Sequence, residues 1–195
     1  ATTIYDGTTI VGTYASSTLH ISEAVLNSKT YIFFTNTAQE GYFYVSTALG
    51  SFVGDTHTNT VIDNISSTTN LYVGQLLSGT GIQAATRIAS ITSATAITVT
   101  LATTATNASV TITSTKLSKI INANFPSTIV GPICEMDGYV FVGTSTARVY
   151  NSDLNDPVTW QANNYITANA FTDNGVGCLK YKNKIGFFGT NSLEW

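Results

Sequence analysis

The stretch YVFVGTSTARVYNS (residues 139–152) decides how this chain is read, because the chain repeats it. TYIFFTNTAQEGYFYVS (30–46) comes before it and IGFFGTNSLEW (185–195) after it. Each version has three or four apolar or aromatic residues, a short Thr/Gly/Asn turn and a second apolar run. β-Branched and aromatic side chains at period two suit a pleated strand with one covered face. The polar tripeptides and tetrapeptides just upstream, LNSK, MDG and KNK, are hairpin signals. The unit is therefore a hairpin with a further strand.

The spacing of the copies is uneven, and composition explains why. Gly143 and Gly189 are 46 positions apart, whereas Thr35 and Gly143 are 108 apart. Between Phe52 and Thr115 aromatic residues shrink to Tyr72, while Thr, Ser and Ala rise. Taking those 64 residues out of 108 leaves 44, so the repeat becomes even. Units of about 40–50 residues built from short strands are the mark of propeller blades, each a four-stranded antiparallel sheet. The segment 52–115 reads as a separate small β-sandwich or barrel, with strands expected at 60–65, 71–78, 87–91, 96–101 and 109–113.

The expected fold is all-β: about three propeller-like repeats of about 45 residues, interrupted by an inserted β-domain. Residues 1–51 would carry the first part of the blades, 52–115 the insertion and 116–195 the second part. The insertion enters after Ser46 and Leu49, where the later copy carries DLNDPVTW (153–160). Loops between strands accept such guests; ladders do not. Three blades fall short of the 4–8 of a closed propeller, so a longer parent protein is expected. No segment has convincing 3.6-residue periodicity, and SEAVL (22–26) is too short to form a helix alone.

Charged residues are only 10% of the chain, net charge is −3, and the arginines are Arg87 and Arg148. Tight nucleic-acid binding draws on clustered cations, so DNA is not gripped by charge. KYKNK (180–184) is the one basic cluster, and simple alternation would put its three lysines on one solvated strand face. The N-terminal ATTIYDGTTIVG lacks a basic region and a long apolar run, so neither a signal peptide nor a membrane span is expected. Low charge also leaves few guards against edge pairing, which suits surfaces covered in an assembly.

NSDLNDPVTW (151–160) is the richest local signal. Asn151, Asp153 and Asn155 have the spacing of the first calcium-loop ligands. Asp156 occupies the glycine position and Ala162 the place of the bidentate Glu, so no metal site is expected. A structural role is the better reading: Asp153, Asn155 and Asp156 as turn formers, Pro157 fixing φ, and Trp160 as an apolar plug beneath. His20 and His57 neighbour no nucleophile signature, eleven carboxylates nominate no pair, and SGTGIQ (78–83) lacks a phosphate-loop lysine. No catalytic residue, cofactor or metal is therefore expected. Cys134 and Cys178 follow equivalent Gly-containing entries, GPIC and GVGC, and read as small apolar residues of matching core positions. Tyr42, Tyr44 and Trp160 offer the alternative of a carbohydrate-binding or adhesion propeller, provided the rings are exposed.

VTW with its turn is similar to the Asp-box hairpin of sialidase-type propellers, with Thr159 and Trp160 matching but Asn155 and Pro157 replacing the Asp and Gly. That box is structural, and two arginines cannot supply the three a sialidase uses. DGYVFVGT, YNSDLNDPVTW, YITANAF and IGFFGTNSLEW together resemble the tail-hub or nozzle proteins of short-tailed bacteriophages, including packaged-DNA stabilisation proteins. GQLLSGTGIQAATRIASIT (74–92) looks like a small β-domain of phage tail and surface proteins. The resemblance implies a non-enzymatic virion protein: a homo-oligomeric ring near the portal, contacting portal, adaptor and other tail proteins. Packaged DNA would pass through it without sequence-specific binding. It carries no catalytic residue onto this chain.

Overall fold

The computed structural model describes residues 2–6, 9–14, 19–36, 40–168 and 173–195, and all regular structure among them is β. In chain order the strands are β1 (Thr2–Asp6), β2 (Thr9–Tyr14), β3 (Leu19–Leu26), β4 (Lys29–Asn36) and β5 (Gly41–Tyr44). There follow β6 (Ser51–His57), β7 (Val61–Asp63), β8 (Gln75–Ser78), β9 (Ile88–Ser93), β10 (Ala96–Val99) and β11 (Thr106–Lys119). The last set is β12 (Cys134–Met136), β13 (Tyr139–Gly143), β14 (Arg148–Asp153), β15 (Asp156–Thr167), β16 (Gly175–Tyr181), β17 (Lys184–Gly189) and β18 (Leu193–Glu194). The chain divides into two compact units: one holds 14–43 and 122–195, the other 3–13 and 44–121.

The first unit is made of antiparallel meanders. β12-β13-β14-β15 form a four-stranded sheet in sequence order, the layout of a propeller blade, and β16-β17-β18 form a three-stranded one. β3 and β4 pair along their whole length, Leu19 opposite Asn36 through Leu26 opposite Lys29. The three quoted turns are two-residue hairpin loops closed by Leu26–Lys29, Met136–Tyr139 and Tyr181–Lys184. Asn27 and Ser28 have φ of 47° and 62°, Asp137 and Gly138 of 54° and 82°, the left-handed pairs that match strand twist. KYKNK is thus a hairpin and not one strand. Lys180 opposes Ile185 and Lys184 opposes Tyr181, so the turn at Lys182 takes the lysines off a common face.

Adjacent sheets in this unit touch through Val149, Cys178 and Phe187, with Cys134, Phe141 and Ile185 packed against them. Backbones come close there: a Cβ on Gly175 would lie 2.1 Å from the carbonyl oxygen of Thr144, a distance only glycine tolerates. The pairing of YFYVS with RVYNS is looser than the sequence pattern implies. β5 ends before Ser46, which lies exposed in a turn, whereas Ser152 is fully buried within β14.

The second unit closes on itself. Its strand order is β11-β6-β7-β10-β9, and β8 pairs with β11. The Leu76–Arg87 bridge, with Leu77 N–H donating to Thr86 O and Gly74 N–H to Ile88 O, joins the β8 segment back to β9. The ring of six strands encloses Phe52, Ile62, Leu77, Ile88, Ile97 and Ile112. Two expected boundaries move. The 71–78 strand is confined to Gln75–Ser78, because Gly74 (φ 89°) turns the chain and brings it within 1.8 Å, measured from a would-be Cβ, of Lys119 O. Ser51–His57, where no strand was expected, is a strand between β11 and β7, with Phe52, Gly54 and Thr56 facing inward. β11 runs unbroken to Lys119, so this unit extends past residue 115.

Candidate functional site

The turn between β14 and β15 is held by several side-chain hydrogen bonds. Asp153 and Asp156 close it in register, and Asn155 has φ 56°. Asn155 N–H donates to Gly138 O at 2.7 Å, and its Oδ1 accepts from Asn27 N–H at 3.2 Å, so the turn is tied to two other hairpins. Asp156 accepts from Val158 N–H at 2.9 Å and from the Thr159 hydroxyl at 2.7 Å, an Asx-type turn. Asp153 accepts from Gln161 Nε2 at 3.2 Å. The carboxylates face donors of the turn itself.

Trp160 lies beneath, 1% exposed, with its indole N–H donating to Pro157 O at 3.0 Å. Phe125 meets it edge-on at 4.9 Å, and Asn124 Nδ2 donates to its carbonyl at 3.0 Å. Ser152, opposite Trp160, accepts from Val140 N–H at 3.0 Å and donates to Asp153 O at 2.9 Å. A buried hydroxyl with both roles filled ties β14 to β13. Trp160 and Tyr42 are buried, so neither presents a ring face for sugar stacking, and the adhesion reading loses two of its three aromatics. Tyr44 is half-buried; burial, then its hydrogen bond to the Asp6 carboxylate and that group's charge, push its phenol up to about 12.

Several other polar groups have local partners, whereas the buried hydroxyls of Thr86 and Ser118 have none among the described residues. His57 Nε2 lies 2.6 Å from Asp63, and His20 stands on β3 opposite Thr35. Lys180 reaches Glu135 at 3.4 Å. Asp173 accepts from Asn191 N–H at 2.6 Å and from the Ser192 hydroxyl at 2.9 Å, which holds its carboxyl below the usual range. Among the described residues no group of three or more His, Cys, Asp or Glu is placed to hold a metal ion. Of YITANAF, Asn169, Ala170 and Phe171 lie outside the described residues, as do Thr37, Ala38 and Gln39 of the first repeat's turn.

Several large apolar side chains also face outward. Ile166, Val176, Leu179, Tyr181 and Trp195 of the first unit are each more than half exposed. An apolar recess of about 350 Å³ lies in the same unit, lined by Phe141, Val149, Ile185, Phe187 and Trp195 among others. Composition gave the aromatic richness of these strands but not which faces would stay uncovered. No helix among the described residues is long and apolar enough to cross a membrane.

No match emerges among curated proteins or among solved structures. A family model does match, over residues 65–195: Phage_stabilise, described as bacteriophage P22 Gp10, beta-propeller. The match takes in the β12–β15 meander, the Asp/Asn turn and the β16–β18 sheet, and also most of the closed ring of the second unit. With two-thirds of its length matched, and with blade-like meanders where the model calls for a propeller, this all-β chain belongs to the phage stabilisation family of bacteriophage P22 Gp10.

Proposed function

We propose that this phage structural protein works as part of a tail hub or nozzle, a homo-oligomeric ring that prolongs the head-to-tail channel and retains and conducts packaged DNA. Its role is mechanical: it performs no catalysis and carries no cofactor. The observation that supports this most is the family match together with the uncovered apolar strand faces of the first unit, at Ile166, Val176 and Leu179. Exposed apolar side chains of this kind suit protein–protein contacts, and ring subunits meet through heterologous contacts closed by symmetry. Sparse positive charge suits a channel through which DNA slides without adhering. Portal, adaptor and other tail proteins would be the neighbours, and the virion tail the location.

Electron microscopy of the full-length protein, with and without its portal complex, tests the reading. Closed rings coaxial with the portal, and the protein's presence in purified virions, are the expected results. Monomers alone, with no incorporation into particles, would overturn it.

A further inference from the structure

Two thiols face each other across neighbouring sheets of the first unit. Cys134 begins β12, Cys178 lies in the middle of β16, and their Sγ atoms are 3.4 Å apart. Each is pinned by its own ladder, Cys134 opposite Phe141 and Cys178 opposite Phe187. Val149, Phe187 and Ile185 belong to the same apolar cluster. Among the described residues no third ligand joins them, so a tetrahedral metal site is not what the pair provides.

We propose that Cys134 and Cys178 form a redox clasp, open as thiols inside the reducing cell and closed as an intersheet disulfide when the protein meets low-molecular-weight disulfides outside it. The thiols need approach each other by little more than about 1 Å to bond. The expected change of compartment rests on the family's place in a phage particle, since virion surfaces are oxidising and the cytosol is not. The capacity to close rests on the sulfur geometry.

The half-buried Cys134 is the thiol a reagent reaches, since Cys178 is 3% exposed. The Cys134 thiolate attacks one sulfur of the small disulfide, whose S–S bond breaks and whose other half leaves as a thiolate. The Cys178 thiolate then attacks Cys134 Sγ, the mixed S–S bond breaks, and the second half leaves. The two protein thiols give up two electrons and two protons, and the reagent ends as two thiols. The hydrogen bond to Cys178, then burial, hold the Cys134 proton tightly, while the same hydrogen bond draws Cys178 below its usual range. The first step is therefore the slow one, and Cys178, whose Sγ lies 3.4 Å from that of Cys134, is placed to resolve the mixed species.

The test is to incubate the purified, reduced full-length protein with hydroxyethyl disulfide and follow thiols by alkylation and mass spectrometry. Both thiols should disappear together, with the mass falling by two hydrogens and one linked peptide pair joining Cys134 to Cys178. The thermal midpoint should rise and return on adding dithiothreitol. Cys178→Ser should halt at a reagent adduct on Cys134. Retention of two alkylatable thiols in the folded protein, a stable mixed adduct, or links between chains would overturn the clasp. Should the serine variant fail to fold, the wild-type peptide map decides alone. A failure to form rings would leave the thiol result standing, so the two proposals fail separately.

Discussion

The two units of this chain solve the same problem in opposite ways. The second, poor in aromatics and rich in Thr and Ser, bends six strands into a ring and fills it mainly with Ile, Leu and Val beside Phe52. The first stacks open meanders, uses Trp160, Phe33, Phe43 and Phe187 as its large buried groups, and leaves Ile166 and Val176 outward. An open meander has edges and faces that only another sheet can cover. Aromatic content thus goes with the open meanders, and Thr-rich monotony with the ring.

The largest expected effect breaks the first unit at its turn. Trp160→Ala removes a side chain that is 1% exposed, along with its bond to Pro157 O, and should cost about 3–5 kcal/mol in denaturant unfolding. If the ring of the second unit is independent, its amide protection should survive this change.

A smaller effect is expected in the ring. Gln75, fully buried, donates to Leu49 O at 3.1 Å and Thr115 O at 2.7 Å and accepts from Tyr72 N–H at 2.8 Å. Gln75→Leu keeps roughly the volume and removes all three bonds, Leu49 O keeping only the one from the Ser114 hydroxyl at 2.7 Å, and should cost about 2–4 kcal/mol. Unfolding of the second unit should then precede that of the first, which a two-probe melt would register. A single unchanged transition would deny the ring its autonomy.

The smallest effect is a titration. Tyr44 has its folded pKa raised to about 12 from an ordinary 10. Its contribution to stability is therefore complete below about pH 10 and lost as pH rises through about 12. Ultraviolet titration should show one late phenol, absent in Tyr44→Phe and moved downward in Asp6→Asn. A late phenol that persists in Tyr44→Phe would assign it elsewhere.

Alternation, hairpin tripeptides and spacing were enough to read β4, β13 and β17 with their turns, because period two and left-handed turn residues are local properties of the chain. Alternation alone failed for the lysines of KYKNK, which the KNK turn takes off a common face, and for Ser51–His57, where Gly54 and two polar neighbours mask a ring strand. It failed again at Tyr72–Gly74, since the close approach to Lys119 that forces the chain to turn is a long-range contact.

By itself, then, the sequence determined an all-β chain with three hairpin repeats, a compositionally distinct middle and a tight Asp/Asn turn over a tryptophan. Closure of the ring, the burial of Tyr42 and Trp160, the meeting of Cys134 with Cys178 and the choice of uncovered faces were decided only by tertiary structure. The reason is physical: strand and turn propensity act between residues a few positions apart, whereas closure, burial and sulfur–sulfur approach depend on register between segments tens of residues apart.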